Sequence, residues 1–226
     1  LNFRGNATVE SEVFLADGSY GKAAEPAGIS TGSSEAIQVL DGDPQRFGGK
    51  GALQAVETVR QVIAPALKGM RASRQREIDE KLISLDGTPD KGKLGANAIL
   101  GVSLAAAHAA AASQKVSLFR LLGGDGPFRL PVPVYDMLAG GAHAQSTVDF
   151  QEYLVIPSGV PTFQEAVHAG FKIYPALREV LKGRGYVITQ PGGPLAPSLR
   201  SNREGVEVVV AAIDKAGYRL GKEVFI

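Results

Sequence analysis

The alanine-rich stretch from Gly95 to Ala112 constrains the fold of this chain more than any other segment. Alanine has the highest helix propensity of all residues, and its side chain is a single methyl group. A helix built mainly from alanine presents a narrow surface, so its backbone can lie close to neighbouring elements. The sequence therefore predicts a tightly packed helix here, followed by a shorter helix that ends at Gly123-Gly124.

Residues near the beginning of the chain alternate in polarity. Between positions 8 and 15, Val9, Val13 and Leu15 fall on one face of an extended segment, and acidic residues fall on the other. Asp17-Gly18 then provides a turn. This pattern predicts an antiparallel hairpin with one solvent-exposed face.

A loop and two helices are predicted between this hairpin and the alanine-rich helix. The segment from Gly28 to Ser34 has neither a strand nor a helix period, so we expect it outside regular structure. Apolar residues then recur at steps of three or four from Leu53 to Leu67 and from Ile78 to Leu85. Both helices would pack one side against the hairpin.

A second group of elements is predicted after residue 130. A strand begins at Leu130 and runs towards Gly140, and another spans Phe150 to Ile156. Residues 186–189 are strand-like, and residues 224–226 resemble the beginning of a further strand.

Two helices are predicted among these strands. Each opens with a capping-box pattern, Thr162 with Glu165 in the first helix and Ser201 with Glu204 in the second. Pro175 is expected to kink the first helix. The predicted order is strand, strand, helix, helix, strand.

Composition argues against several classes of partner. Lysine and arginine number 24 against 23 aspartates and glutamates, and this net charge of +1 gives no general attraction to nucleic acid or anionic membranes. There is no cysteine, which is typical of a reducing compartment. No apolar run approaches the roughly 20 residues that span a bilayer. We therefore expect a cytoplasmic protein with no membrane span and no nucleic-acid partner.

Several motifs, all in one family's order, resemble enolase, and together they cover essentially the whole chain. The longest runs from Asp86-Gly87-Thr88 through Lys91-Gly92-Lys93-Leu94-Gly95-Ala96-Asn97 to Ala105. The others are Arg4-Gly5-Asn6, Gly28 to Gly32, Asp41-Gly42-Asp43, Gly49-Lys50-Gly51, Pro131-Val132-Pro133, Gly140 to Ala144, Gln151-Glu152 and Ala216-Gly217-Tyr218.

The resemblance implies a fold in two parts. Residues 1–124 would form an α+β domain with a three-stranded antiparallel sheet packed on helices. Residues 130–226 would form the opening ββαα portion of the enolase barrel. We expect the chain to stop before that barrel is complete.

The resemblance also implies an activity. Enolases are lyases of glycolysis that use Mg²⁺ to dehydrate 2-phosphoglycerate to phosphoenolpyruvate, and a homodimer is the expected assembly. The proton beside the substrate carboxylate is barely acidic, because its removal adds charge to a group that is already anionic. The metal ions offset that charge.

Four residues match positions of the family's active site. Ser30 matches the loop serine that helps bind a second Mg²⁺, and His143 matches a histidine near the substrate phosphate and leaving hydroxyl. Gln151 matches a substrate-binding residue, and Glu152 matches a carboxyl near the departing hydroxyl. Without the resemblance, Ser30 would be an ordinary turn residue and His143 a surface residue. A regular strand would also direct only one of Gln151 and Glu152 into the barrel mouth.

One position departs from the family pattern. Pro191 stands where the family has its general-acid glutamate, and proline cannot transfer a proton. The sequence thus leaves two functions open, an enolase-type lyase and an inactive enolase-like scaffold or binding protein. A third class, another superfamily member with a different substrate, fits the Gln151-Glu152 pair less well. We expect no measurable dehydration of 2-phosphoglycerate by this polypeptide alone.

Overall fold

The computed structural model of this chain describes residues 1–2, 5–25, 32–141, 144, 148–188 and 193–226. Contacts between Cα atoms divide it into two units, Leu1–Phe128 and Arg129–Ile226. This division falls between the predicted domain limits at 124 and 130, which themselves stay predictions. Each unit is described by itself.

The first unit opens with a hairpin of two strands. β1 (Glu10–Phe14) pairs antiparallel with β2 (Tyr20–Ala24), so that Glu10 lies opposite Ala24 and Phe14 opposite Tyr20. This confirms the hairpin that the alternating residues predict. The predicted third strand is wrong for the described residues of this unit, where the sheet has two strands.

Residues 37–39 make other contacts instead of joining the sheet. The Ile37 amide donates to the Asp90 carbonyl oxygen over 2.8 Å. The Asn97 side chain accepts from the Val39 amide over 3.2 Å and donates to the Val39 carbonyl over 2.9 Å. Hydrogen bonds to loop and helix residues thus occupy the backbone groups that a third strand would have used to pair with the sheet. Of the predicted loop from Gly28 to Ser34, only residues 32–34 are described, and they form neither helix nor strand.

A short 3₁₀ helix (Phe47–Gly49) and then five α-helices follow in the described part of the first unit. A continuous helical stretch begins with α1 (Leu53–Thr58), passes through a π-helical segment at Val59–Ile63 and ends with α2 (Ala64–Leu67). α3 spans Gln75–Asp86, α4 spans Ala96–Ser113 and α5 spans Leu118–Gly123. These bounds confirm the helices that apolar periodicity and alanine content predict.

α4 lies directly on the hairpin. A Cβ atom placed on Gly21 of β2 would be 2.1 Å from the Ala109 amide nitrogen and 2.3 Å from the Ala105 carbonyl oxygen. The two backbones touch because neither side of the contact carries a large side chain. The close packing expected of an alanine-rich helix is therefore confirmed.

By length and composition, α4 is the one described helix that could cross a membrane, although the sequence suggested that no segment is apolar enough. In this fold 61% of it is buried inside the protein. Such burial is typical of the core helix of a folded domain. A core helix can be as long and as apolar as a membrane-spanning one.

The longest enolase-like motif forms a hydrogen-bonded loop after α3. Asp86 is 2% exposed, and its carboxylate accepts from the Thr88 hydroxyl, from the Thr88 amide over 2.9 Å and from the Leu94 amide over 2.8 Å. Burial disfavours the charged form, but these hydrogen bonds outweigh it, so the pKa of Asp86 lies below its usual value. This part of the motif holds the entry to α4.

The second unit begins with two paired strands. β3 (Tyr135–Ala139) pairs antiparallel with β4 (Glu152–Val155), with an irregularity between Asp136 and Leu138. β3 begins later than the predicted start at Leu130. Pro131 and Pro133 have no amide hydrogen for a strand ladder, which accounts for the delay.

The two predicted helices are confirmed. α6 spans Phe163–Gly183 and α7 spans Asn202–Lys215. Thr162 and Glu165 form the reciprocal capping box at the start of α6. Ser201 accepts from the Glu204 amide over 3.2 Å, whereas the Glu204 carboxylate accepts from Arg200 and Tyr186.

The core of the second unit lies between these helices and the strands. Its fully buried side chains include Val155 on β4, Leu177 on α6, Val209 on α7 and Leu195 after α6. α6 continues through Pro175, and the kink expected there stays a prediction.

The predicted third strand of this unit is displaced along the chain. The Tyr186 amide donates to the Leu181 carbonyl, an end-of-helix bond allowed by the left-handed Gly185, so residues 186–188 do not form a strand. Leu195 instead forms a parallel bridge with Leu138 of β3. Near the end of the chain, Phe225 forms a single antiparallel bridge with Ile156. The described strands close no barrel.

Replacing Gly21 by alanine tests the contact between α4 and β2. The new methyl group would meet backbone atoms of α4 that cannot rotate away, so we expect a loss of about 1–3 kcal/mol in the free energy of unfolding. Gly32→Ala is the matched control, because nothing lies within 4 Å of that position and its backbone is not left-handed. Urea unfolding measures both variants, and equal stability of the two would contradict the close contact.

Candidate functional site

The candidate site lies where β3 ends and β4 begins. The Gly140 amide donates to the Gln151 carbonyl oxygen over 2.9 Å, and Ala139 lies opposite Glu152 in the strand pair. The Gly141 amide donates to the Val148 carbonyl over 2.9 Å, which continues the pairing past the last residue of β3. These bonds hold Gln151 and Glu152 beside the glycine pair.

The glycine pair is required by this geometry. A Cβ atom on Gly140 would be 2.2 Å from the Phe150 carbonyl oxygen, and Gly141 has a left-handed φ of 50°. Larger residues would therefore push the two segments apart. The Gly140-Gly141 motif sets how closely the segment before β4 can approach the end of β3.

Gln151 and Glu152 are both exposed, and the next residue, Tyr153, is 2% exposed. A regular strand would direct only one of the two neighbours away from the core. Gln151 lies just before β4, in a bend, so the alternation of a strand does not apply to it. The two side chains can therefore both meet solvent at this end of the strands.

Asn202 fixes the segment that leads into β4, and sequence reasoning missed it. Its side-chain oxygen accepts from the amides of Asp149 over 2.9 Å and Phe150 over 3.1 Å. The Tyr153 hydroxyl donates to the Asn202 carbonyl over 3.3 Å, and burial and the Asp149 charge raise the pKa of that hydroxyl. The only signal in the sequence was an asparagine directly after the helix cap Ser201.

The segment that begins at Gly193 lies along the other side of β3. The Ala139 amide donates to the Leu195 carbonyl over 2.9 Å, and the Leu195 amide donates to the Met137 carbonyl over 3.0 Å. The Tyr174 hydroxyl on α6 donates to the Gly193 carbonyl over 2.8 Å. Ala139 thus has Glu152 on one side and Leu195 on the other, which brings the two chain segments to the same end of β3.

Three of the predicted site residues, Ser30, His143 and Pro191, lie outside the described residues. The gathering of His143 with Gln151 and Glu152 therefore stays a prediction, as do the roles of all four site residues. The arrangement of β3 and β4 brings together only the Gln151-Glu152 segment and the glycine pair that precedes His143.

A magnesium site would need several oxygen ligands, chiefly carboxylates. The described part of the chain has no group of three or more histidine, cysteine, aspartate or glutamate side chains placed to hold a metal ion. The residues that the structure describes therefore do not form a Mg²⁺ site by themselves.

Comparison with protein families gives two matches that together cover nearly all of the chain. Residues 1–122 match the family model described as enolase, N-terminal domain. Residues 127–226 match the model described as enolase, C-terminal TIM barrel domain. The two matches meet close to the division between the two units.

Replacing Asn202 by alanine tests its hold on the segment before β4. Two backbone amides lose their acceptor, so we expect faster hydrogen exchange at Asp149 and Phe150 and a loss of about 1–3 kcal/mol in stability. Arg203→Ala is the matched control, because that neighbouring side chain forms only an exposed ion pair with Glu207. Exchange at the two amides that is the same in both variants would contradict the assigned role.

Proposed function

Since the chain belongs to the enolase family, we propose that it serves the lyase reaction of that family, the Mg²⁺-dependent dehydration of 2-phosphoglycerate to phosphoenolpyruvate. The proposal includes the cytoplasmic, glycolytic setting and the homodimer that the resemblance implies. The observation that supports it most directly is the exposed Gln151-Glu152 pair, held at the end of β3 and β4 beside Gly140-Gly141.

Each proposed role follows from the chemistry of the side chain. The Gln151 amide can donate to an anionic substrate oxygen and accept from a hydroxyl. The Glu152 carboxyl can exchange a proton with the departing hydroxyl, which leaves more easily as water. His143 would donate to phosphate oxygens, and Ser30 would offer oxygen ligands to a second Mg²⁺.

Magnesium supplies the positive charge that offsets the extra negative charge of the intermediate. The described residues do not form a site for it. What this chain contributes, on the proposal, is contact with the substrate through Gln151 and Glu152.

A second candidate function is an enolase-like scaffold or binding protein without catalysis. The observation that favours it is Pro191, which stands where the family places a proton-transferring glutamate. A single carboxyl at the site would lack the neighbour that helps to keep one of a pair protonated.

Binding of 2-phosphoglycerate tests the substrate role without relying on turnover. We expect NMR shift changes at the amides of Gly140, Gly141, Gln151 and Glu152 when the compound is added to the chain. Gln151→Ala should weaken binding about tenfold or more, because a hydrogen bond to a charged group is lost. Gln164→Ala, an exposed glutamine at the start of α6, is the control and should bind as the unchanged chain does.

Shift changes confined to other residues, or none at millimolar 2-phosphoglycerate, would contradict the substrate role. The scaffold function would then replace it.

Turnover by the purified chain is a separate test. In excess Mg²⁺ we expect no enolpyruvate product above background, measured by absorbance, because the described residues form no cluster of metal ligands and a proline at position 191 cannot transfer a proton. A positioned general acid alone supplies a factor of about 10² to 10⁴.

The matched variants for this assay are Glu152→Gln and Glu207→Gln. Glu207 is an exposed helix residue paired with Arg203. Turnover that persists in Glu207→Gln and disappears in Glu152→Gln would show that the chain is active by itself, contrary to this expectation.

A further inference from the structure

Glu25 is a buried carboxyl that the proposed reaction does not use. It follows the last residue of β2 and is 4% exposed. Its amide donates to the Val9 carbonyl over 2.9 Å, which continues the hairpin ladder by one pair. A carboxylate in such a position is costly unless cations or several donors surround it.

In the described part of the chain, two side chains donate to the Glu25 carboxyl. The Gln38 side-chain amide donates to Oε1 of Glu25 over 3.3 Å. The Thr8 hydroxyl lies 2.7 Å from the Glu25 carbonyl oxygen and 3.4 Å from Oε2. Thr8 shares its one hydrogen between these two acceptors, so its bond to Oε2 is the longer and weaker of the two.

Among the described residues, no charged side chain on the neighbouring elements forms an ion pair with Glu25. On the hairpin, Glu10 and Lys22 pair with each other over 3.1 Å at the surface. On the segment before Gln38, the Glu35 carboxylate accepts from the Gly32 amide over 2.9 Å. Burial raises the pKa of Glu25, and the Thr8 hydrogen bond offsets only part of that rise.

We propose that Glu25 is a pH-sensitive link: as a neutral acid it joins the end of β2 to Thr8 and Gln38, and loss of its proton releases the segment around Gln38 from the hairpin. The ionised form needs water, and water reaches it only when these neighbours separate. The inference does not depend on the proposed lyase function.

The link gives stability a defined dependence on pH. The folded state keeps the proton above the ordinary glutamate value of 4.5, where the unfolded chain has lost it. The contribution of Glu25 to the free energy of unfolding is therefore complete below pH 4.5. It falls as the pH rises towards the folded-state pKa and is constant above that pKa. Glu25→Gln keeps a neutral side chain at every pH and removes the fall.

Amide exchange in the full chain, read by NMR between pH 4 and 9, tests the release. The probes are Ile37, whose amide is bonded to Asp90, and Val39, whose amide is bonded to Asn97. We expect their protection factors to fall by up to tenfold per pH unit between the two pKa values, and to stay level in Glu25→Gln. Glu35→Gln, an exposed glutamate on the same segment, should behave like the unchanged chain.

A second measurement needs no variant. The side-chain carboxyl carbon of Glu25, followed by ¹³C NMR in the unchanged chain, reports its titration directly. A midpoint above 4.5 supports the link. A midpoint at or below 4.5, or protection at Ile37 and Val39 that responds to pH equally in the unchanged chain and in Glu25→Gln, overturns it.

Discussion

The first unit depends on the contact between the backbones of β2 and α4 at Gly21. A side chain there would collide with main-chain atoms of Ala105 and Ala109, which have no rotamer through which to yield. The second unit uses glycine for a related purpose. Gly170 of α6 lies against the Tyr135 ring and Gly205 of α7 against the Tyr153 ring. In both units, a glycine without a side chain allows a helix to lie directly on a strand or on an aromatic ring of a strand. In the second unit, these close contacts hold the elements that carry the site in place.

The hydrogen bonds of the candidate site extend this arrangement to the strand ends. Gly140 pairs with Gln151, and Asn202 at the start of α7 holds the two residues before Gln151. The positions of the site residues are therefore set by backbone pairing and by the side-chain amide of Asn202. The side chains with proposed chemistry, Gln151 and Glu152, are exposed to solvent. Their chemistry is proposed from the family, whereas their placement follows from the packing of β3, β4 and α7.

Membership of the family concerns the scaffold, whereas activity depends on particular residues. The chain matches enolase models across both units, and its described residues form no metal site. The resemblance in sequence implies that Pro191 stands where the family has a proton-transferring glutamate. A scaffold can persist without its chemistry, because helix caps, glycine contacts and the Asp86 loop stabilise the fold independently of catalysis. The described side chains that bond to the buried Glu25 carboxyl are Thr8 and Gln38, and neither is a proposed site residue.

The sequence by itself determined the family, the hairpin, the helices and the Thr162 capping box, because these rest on local periodicity, propensity and motif. Only the tertiary structure decided the pairings between distant segments. Residues 37–39 bond to Asp90 and Asn97 instead of forming a strand, and Leu195, not Tyr186, bridges to β3. Asn202 acquired its role in the same way. The local sequence pattern indicates which element a segment can form. Which of its backbone groups can pair with a distant segment depends on the hydrogen bonds that those groups already make.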